Sequence, residues 1–363
     1  MRFTVVTAVL LLAALLVSLA LPVETWRTGD QRLALLDSAP EAAAPTFPRR
    51  LWIDTDAACG EGRTTDPDDC LAIALLAHAP DVEIVGISTV AGNAPLDAVD
   101  RTTRELAALL SAETDRTLRV HSGPRALQTA LEAGPLTILA LGPLTNLAAV
   151  LDERPGLAGR VARLVAVMGR RPGHIFHPAE GAQAGILFGH GPVFRDFNFA
   201  LDSGAASRVL AAELPTSFVP YDAARGMEIT ATDLDRLATL GGGRAWVSKR
   251  TRAWLDYWRT DIGRSGFYPF DLLAAAYVLE PSWFRCTPVR AWVGEDRTLF
   301  IPFRWQAALL VSPEAPPPQD ETLSARALYC SGTRGNLKAD VLQRLTKLRR
   351  AAASVRRTPE CAS

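Results

Sequence analysis

The amino-acid sequence predicts an α/β protein with an open, mostly parallel sheet flanked by helices. From Leu51 onward, short apolar runs typical of buried strands alternate with segments of helical spacing. Polar residues follow directly where several of the apolar runs end. Strands that alternate with helices favour a parallel sheet, and ligands bind such sheets beyond the carboxyl ends of the strands.

Four strands and three helices are predicted from these patterns. In chain order the segments are RRLWIDTDA (strand), DDCLAIALLAHA (helix), VEIVGISTVAG (strand), DAVDRTTRELAALLSA (helix), LTILALG (strand), PLTNLAAVLDE (helix) and RLVAVMG (strand). The first helix opens with acids, which the helix dipole favours in a first turn. Ala91–Asn93, Leu141–Asn146 and Met168–Arg170 lie at predicted strand ends, like the aspartates that follow the first strand.

The composition fits a single large globular domain. Of the 363 residues, 48% are hydrophobic, which is ample for a buried core. Lys and Arg together number 39, as do Asp and Glu, so the net charge is zero. A nucleic-acid binder needs a basic surplus, so none is expected as a partner. Residues 51–350 are predicted as one domain without internal repeats.

The N-terminal segment is predicted to lie outside this domain. Residues 3–23 form an uncharged apolar run behind Arg2, so residues 1–23 are either a signal peptide or an uncleaved membrane anchor. Residues 24–50 are rich in Pro and Ala and are predicted as a linker, and residues 351–363 form a basic tail. The domain is therefore expected outside the cytoplasm, either periplasmic or extracellular, or anchored to a membrane.

Five cysteines fit an exported protein. Cys59 and Cys70 bracket the stretch between two groups of aspartates, Cys286 and Cys330 form a second candidate pair, and Cys361 is left over. The pairing cannot be derived from the sequence, and free buried thiols remain an alternative. The spacing contains no CxxC or Cys/His pattern that would indicate zinc.

Acidic residues crowd the end of the first strand. Asp54, Asp56, Asp66, Asp68 and Asp69 lie within sixteen residues. Carboxylates that converge without basic partners repel one another and raise their own pKa values, and a hard cation relieves this. Oxygen-only ligands indicate Ca²⁺ or Mg²⁺. The alternative is that Asp66 and Asp68 only cap the following helix.

A distant aspartate strengthens the metal interpretation. Asp271, in YPFDLLAAAYVL, opens another apolar helix far along the chain. Two separate helix starts that both supply acids make a shared cation site more plausible than capping alone.

These motifs, and the order in which they occur, resemble those of the inosine–uridine-preferring nucleoside hydrolase family. The first family signature is a strand followed by Asp-x-Asp, a Gly, and Asp-Asp at a helix start; here these are Asp54, Asp56, Asp68 and Asp69. The resemblance continues through GISTVAGNAPLD, LALGPLTNLAAVL, VAVMG, DFNFALD and PFDLLAAAYVL. It covers about Leu51 to Leu348 and implies a Rossmann-like fold.

The resemblance implies Ca²⁺-dependent hydrolysis of the N-glycosidic bond of ribonucleosides to base and ribose. It implies four metal ligands: Asp56, Asp69, Asp271 and the backbone carbonyl of Leu141. Asp56 would also be the general base that activates the attacking water. The implied substrate-binding residues are Asp68, Asn93, His190, Asp196, Asn198 and Phe270.

Two of these positions differ from the family's usual residues, since Asp196 stands where the family usually has Glu and His190 where it often has Asn. The implied chemistry is coherent, because carboxylates around the ribose stabilise the positive charge that develops on the ring as the bond breaks.

One departure from the family pattern is an insertion. The segment AACGEGRTTDP separates Asp56 from Asp68, where family members have few residues. We expect a Cys59–Cys70 disulfide to hold this loop, so that Asp56 and Asp69 still reach one cation. Asp66 would then be spare, unless the correspondence is shifted by two residues.

A second departure is Phe270, where many family members have a histidine that protonates the leaving base. Phenylalanine cannot donate a proton, so the base is expected to be activated by stacking, which favours purines. Candidate stacking residues are Trp254, Tyr257, Trp258, Phe267, Tyr268 and Phe270. Ordinary core packing is an equal alternative for Trp254 and Trp258. His174 and His177 lie in a Gly/Pro-rich stretch and are not assigned as the acid.

Two alternative functions remain open at this point. One is a catalytically weak protein that binds nucleosides or ribosyl groups in the same fold, and the other is a hydrolase of another ribosyl compound. The partners expected are a small-molecule nucleoside, a membrane if the N-terminal segment is uncleaved, and a homo-oligomer as an open possibility.

Overall fold

A computed structural model describes residues 9–13, 36, 38–46, 48–172, 174, 196–296, 307–314 and 324–347. His177, His190 and the basic tail lie outside the described residues, as does most of the apolar N-terminal segment. Within the described ranges, no helix has the length and apolar character needed to cross a membrane.

The described parts of the chain contain one nine-stranded sheet and a separate two-stranded ribbon. The strands are β1 (Arg50–Thr55), β2 (Glu83–Thr89), β3 (Val120–Ser122), β4 (Leu136–Ala140), β5 (Val161–Ala166), β6 (Thr216–Phe218), β7 (Ile229–Thr230), β8 (Gly266–Phe267), β9 (Phe284–Glu295), β10 (Ala307–Ser312) and β11 (Ala325–Thr333). The sheet order is β10-β9-β11-β6-β5-β4-β1-β2-β3, and β7 pairs with β8.

The sheet is mostly parallel, as predicted. Only β9 runs opposite to the others, because it pairs antiparallel with both β10 and β11, while β11 pairs parallel with β6. The chain moves from β1 outward to β3 and then returns to β4 on the other side of β1. The strand order therefore reverses between β1 and β4, where open α/β sheets form their ligand crevice.

Helices cover both faces of the sheet. They are α1 (Asp68–Ala77), α2 (Leu96–Thr114), α3 (Arg125–Ala133), α4 (Thr145–Glu153), α5 (Phe197–Leu201), α6 (Ser203–Ala211), α7 (Tyr221–Ala224), α8 (Ala231–Ala238), α9 (Gly242–Tyr257), α10 (Phe270–Leu279) and α11 (Leu337–Thr346). Alternate residues of β1 pack into the hydrophobic cores on the two faces of the sheet. Leu51 and Ile53 pack with α1 and α10 on one face, while Trp52 packs on the opposite face.

The four predicted strands correspond to β1, β2, β4 and β5, and the first three predicted helices to α1, α2 and α4; the predicted helix that contains Asp271 is α10. The sequence patterns did not identify β3 and β6, which are only three residues long. They also missed β9 to β11, where charged residues and a proline interrupt the apolar pattern of β9.

The described part of the predicted linker contacts the C-terminal strands. Leu36 is buried in the core that Trp52 shares, and its carbonyl accepts a hydrogen bond from the Thr287 hydroxyl at 3.3 Å. The backbone N–H of Ala42 donates to the carbonyl of Cys286 at 2.9 Å. Leu36 and Ala42 therefore both contact β9.

The structure contains two disulfides: Cys59–Cys70, which confirms the expected bond, and Cys286–Cys330, which was a candidate pair. The first closes the inserted loop onto α1. The loop is also held from outside, since Arg63 donates to the hydroxyl of Thr260 at 2.6 Å and forms an ion pair with Asp261. The sequence alone had left both pairings open.

Removing the first disulfide should destabilise the protein. The two cysteines are eleven residues apart, and in the loop-entropy model a bond across a loop of this length contributes about 3 kcal/mol. We expect Cys59→Ala/Cys70→Ala to lower the free energy of unfolding in urea by that amount. Cys361→Ala, which leaves both disulfides intact, is the control. Equal stability of the two variants would contradict the prediction.

Candidate active site

Two helix starts meet at the carboxyl edge of the sheet. Asp68 and Asp69 open α1, Asp271 lies in the first turn of α10, and carboxylate oxygens of all three lie within 4.8 Å of one another. The Asp271 backbone N–H donates to Asp68 Oδ2 at 2.8 Å. The positive ends of two helix dipoles therefore face the same acidic cluster and favour its negative charge.

Asp56 approaches this cluster from the end of β1. Its Oδ2 accepts the Asn93 backbone N–H at 2.8 Å, and Asn93 Nδ2 donates to Asp69 Oδ2 at 3.3 Å. Asp56 Oδ1 is buried and has no hydrogen-bond partner among the described residues. A side chain at Gly92 would collide with the Asp56 carboxylate, so glycine is required there for the close approach.

Thr55 orients one of the acids and was not identified from the sequence. Its hydroxyl is fully buried, donates to Asp69 Oδ1 and accepts the Ala57 backbone N–H at 3.3 Å. The only sequence signal was its position between Asp54 and Asp56 at the end of an apolar run. Threonine therefore fixes the rotamer of Asp69 from the strand side.

The acids are held in an environment that resists their ionisation. Burial raises the pKa of Asp54 to about 6, and burial together with the charge of Asp68 raises the pKa of Asp69 to about 6. Burial and neighbouring carboxylates raise the pKa values of Asp56 and Asp271 well above their usual range. Within the described cluster no lysine or arginine neutralises these groups.

The donor set fits a hard divalent cation. It consists of carboxylate oxygens, and one buried Asp56 oxygen has no partner among the described residues. Leu141, whose carbonyl follows β4, lines the same cavity as Asp68 and Asp271. Asn198 Nδ2 donates to that carbonyl at 2.6 Å and to the carbonyl of Val167 at 3.0 Å. Hard oxygen donors of this kind suit Ca²⁺ or Mg²⁺.

In a chelator, the stability of the protein should fall as pH rises from about 4 to above 6. The pKa of an unperturbed aspartate is 3.8 and that of folded Asp54 and Asp69 about 6, so the folded state binds more protons in this window. The stabilisation from these protonated aspartates is fully present below pH 3.8 and is lost as the pH rises past their pKa of about 6 in the folded state.

Thermal melts from pH 4 to 8 would measure this effect, with Asp69→Asn as the comparison variant. The variant should show a shallower fall. A melting temperature of the parent that stays level or rises across the window would contradict the prediction.

A cavity of about 240 Å³ opens above the acidic cluster. Its lining residues are Thr64, Asp66, Asp68, Asn93, Leu141, Val167, Met168, Gly169, Asp196, Phe197, Asn198, Tyr221, Trp254, Phe270 and Asp271. The implied residues Asp68, Asn93, Leu141, Asp196, Asn198, Phe270 and Asp271 are thus brought together at one site. His190 lies outside the described residues.

An aromatic wall forms one side of the cavity. Phe270 stacks on Tyr221 with ring centroids 5.7 Å apart and an interplanar angle of 26°, and Trp254 also lines the space. The other predicted stacking residues, Tyr257, Trp258, Phe267 and Tyr268, lie outside the lining, and the last three are core residues. Tyr221 was missed because it follows a three-residue strand without an apolar pattern.

The spare aspartate of the inserted loop contacts the start of α1 and lines the cavity. Asp66 Oδ1 accepts the Asp68 backbone N–H at 3.3 Å, although the N-cap position of α1 is Pro67. Asp68 instead accepts from Asp271, so it joins α1 to α10. Asp66 and Thr64 also line the cavity, and the insertion therefore contributes part of its wall.

Asp196 is fixed by backbone donors. Its Oδ2 accepts the Gly169 N–H at 2.6 Å, and its Oδ1 accepts the Phe199 N–H at 3.3 Å as the N-cap of α5. Gly169 has a positive φ of 89°, a conformation that favours glycine. Burial raises the pKa of Asp196 to about 6.

His174 belongs to a separate buried cluster. Its Nδ1 lies 3.5 Å from Asp222 Oδ1, beside Arg171, whose Nη2 is 3.2 Å from the same oxygen. Burial acts to raise the pKa of Asp222, but His174, Arg171 and the Tyr329 hydroxyl lower it to about 2. His174 is not among the residues that line the cavity.

Sequence comparison places the chain among enzymes that act on nucleosides. The profile described as inosine-uridine preferring nucleoside hydrolase matches residues 51–131 and 111–300. The non-specific ribonucleoside hydrolase RihC of Klebsiella pneumoniae subsp. pneumoniae is 28% identical over 262 residues, which cover 62% of this chain and 80% of that protein. The pyrimidine-specific ribonucleoside hydrolase RihA of Salmonella enteritidis is 26% identical over 268 residues, covering 63% and 81%.

Solved structures show the same fold. A plant nucleoside hydrolase, the PpNRh1 enzyme, superposes with a TM-score of 0.64 at 19% identity, over 82% of this chain and 99% of the other. A purine-preferring ribonucleoside hydrolase from Gardnerella vaginalis gives 0.60 at 17% identity, over 82% and 98%.

Proposed function

Because the chain belongs to the inosine-uridine preferring nucleoside hydrolase family, we propose that it hydrolyses the N-glycosidic bond of ribonucleosides to ribose and a free base. The observation that carries this proposal is the buried cluster of Asp68, Asp69 and Asp271 on the floor of a cavity with an aromatic wall. The carboxylate oxygens on the floor of such a site can bind a cation and the ribose diol. The aromatic wall can stack against the base.

We propose Ca²⁺ as the cation. Asp56, Asp69, Asp271 and the carbonyl of Leu141 would hold it. Of these, Asp69 and Asp271 belong to the group of carboxylate oxygens within 4.8 Å of one another, which also includes Asp68. When bound, Ca²⁺ would supply positive charge that relieves the repulsion of the acids and would orient the 2′- and 3′-hydroxyls.

Asp56 is proposed as the general base. The Asn93 N–H holds one of its carboxylate oxygens, while the other is buried, has no partner among the described residues and can accept a proton from water. Asp68, Asn93 and Asn198 are proposed to bind the ribose hydroxyls, and Asp196 and His190 to lie on the 5′ side of the sugar. Bond cleavage builds positive charge on the ribose, which the surrounding carboxylates stabilise.

The leaving base is proposed to stack on Phe270. Because Phe270 stacks on Tyr221, which also lines the cavity, the wall presents a fixed flat surface, and a stacked purine can take a proton from solvent at its ring nitrogens. Pyrimidines gain less from this activation. A purine preference therefore follows from the aromatic wall and the absence of histidine at position 270.

The test is kcat/KM for inosine, guanosine and uridine with the purified protein and Ca²⁺. Inosine and guanosine should be hydrolysed better than uridine, and Phe270→Ala should lose roughly tenfold or more on purines because stacking and packing are lost. Phe270→His should raise uridine turnover relative to inosine. Trp246→Ala, at a ring outside the cavity lining, is the control.

A wild-type protein that prefers uridine, or a Phe270→Ala variant as active as its parent, would contradict the stacking account. Absence of turnover for all three nucleosides would contradict the hydrolase proposal itself.

A second candidate function is nucleoside binding with little catalysis. The observation in its favour is Phe270, since no histidine stands beside Asp271 to protonate the base. Calorimetric binding of inosine without release of ribose would support it over hydrolysis. Release of a different ribosyl product would instead support the third candidate, a hydrolase of another ribosyl compound.

We further propose that the domain functions outside the cytoplasm. Two disulfides suit an oxidising compartment, and the apolar run at residues 3–23 suits export or anchoring. Cell fractionation followed by N-terminal sequencing would test both the location and the cleavage of residues 1–23. Recovery of the full-length protein in the soluble cytoplasmic fraction would contradict the proposal.

A further inference from the structure

Three sectors of the cavity lining differ in chemistry. The acidic sector contains Asp66, Asp68 and Asp271, and the aromatic sector contains Phe270, Tyr221 and Trp254. The third sector follows β5 and opens α5; its members are Val167, Met168, Gly169, Asp196, Phe197 and Asn198. A ribose that places its diol on the acidic floor and its base on the aromatic wall must direct its remaining substituent, the C5′ carbon, towards the third sector.

The polar groups of the third sector are already engaged. Each Asp196 oxygen accepts a backbone N–H, one from Gly169 and one from Phe199. The Asn198 amide nitrogen donates to the carbonyls of Leu141 and Val167. Among the described residues, the two N–H groups of the Asn198 amide are therefore used on the backbone, and each Asp196 oxygen has one acceptor position filled. The sector offers a 5′-hydroxyl no free N–H from Asn198 and only part of the acceptor capacity of Asp196.

The apolar groups of the same sector are available. Met168 contributes a buried side chain to the lining, and Phe197 is 49% exposed at the start of α5 although it also borders the cavity. An exposed large apolar side chain beside a ligand cavity loses surface to water when an apolar group covers it. Leu201, one turn further along α5, is exposed as well but does not line the cavity.

We propose that this site selects nucleosides whose 5′ carbon carries an apolar substituent, such as a thioether, over nucleosides with a free 5′-hydroxyl. The inference rests on the proposed function, since the reaction is the same hydrolysis. The C1′–N bond breaks, a water oxygen bonds to C1′, its proton passes to Asp56, and the base leaves with a proton from solvent. The 5′ group does not react and contributes only contacts with Phe197 and Met168.

The test compares kcat/KM for adenosine, 5′-deoxyadenosine and 5′-deoxy-5′-methylthioadenosine. In the wild type we expect the methylthio compound to exceed adenosine by roughly tenfold or more, the range that one well-placed apolar group supplies in a hydrophobic pocket. The 5′-deoxy compound should lie between them, because it lacks the hydroxyl but adds no apolar contact.

The variant Phe197→Ser should reduce the ratio of methylthio to adenosine kcat/KM to about a third or less of its wild-type value, whereas Leu201→Ser should leave it unchanged. A wild type that turns over adenosine at least as well as the methylthio compound would overturn the inference and leave the proposed function standing. An unchanged ratio in Phe197→Ser would also overturn it. Failure to hydrolyse any of the three compounds would overturn both.

Discussion

Replacement of Asp271 by asparagine is expected to abolish Ca²⁺ binding and to reduce kcat/KM for the best nucleoside by roughly a thousandfold or more. Asp271 joins Asp68 and Asp69 from a helix more than 200 positions away in the chain, and carboxylate oxygens of the three lie within 4.8 Å. An amide at position 271 keeps the shape but removes the charge that the cation requires.

The same substitution should stabilise the protein when no cation is bound, whereas a substitution that only disrupts packing would destabilise it. Burial and the neighbouring acids raise the pKa of Asp271, so its charge destabilises the cluster when no cation is bound. Asp271→Asn should therefore melt at a higher temperature than the parent in a chelator, and Ca²⁺ should no longer raise its melting temperature.

Asp97→Asn is the matched control, because Asp97 also lies in the first turn of a helix but is outside the cavity lining. Calorimetric titration with Ca²⁺ and steady-state kinetics measure both effects. Near-parental activity of Asp271→Asn, or Ca²⁺ binding of unchanged strength, would remove this cluster from the metal assignment.

Replacement of Asp56 by asparagine is expected to lower kcat by about 10²–10⁴-fold, the range that a positioned general base contributes. The asparagine can still accept the Asn93 N–H through its side-chain carbonyl, so the loop geometry should persist. The group that is lost is the second, unpartnered oxygen, which is replaced by an amide that cannot take a proton.

Rate measurements at saturating nucleoside and Ca²⁺ isolate this effect, because any weaker cation binding is then compensated by concentration. Thr55→Val provides a useful comparison, since it removes a hydrogen bond to Asp69 without touching a proposed base. A fall in kcat of less than tenfold in Asp56→Asn would assign the proton transfer to another group.

The sequence by itself determined the parallel core of the fold and the acidic floor of the site. The apolar runs of β1, β2, β4 and β5 alternate with helices. This pattern could be recognised because side-chain periodicity is a local property of the sequence. The acids were identifiable because Asp68, Asp69 and Asp271 stand at helix starts, where charge placement is also local.

Only the tertiary structure decided which side chains surround that floor. The contact of Tyr221 with Phe270, the hydrogen bond of Thr55 to Asp69 and the position of Phe197 in the cavity lining could not be derived from local sequence, because each depends on the order of strands in the sheet. The sequence could not show which of the candidate stacking residues line the cavity and which pack in the core, because residues in either place can have helical spacing. Contacts between distant segments depend on how the chain crosses between β1 and β4, and this crossing is set by packing of the whole domain rather than by any short stretch.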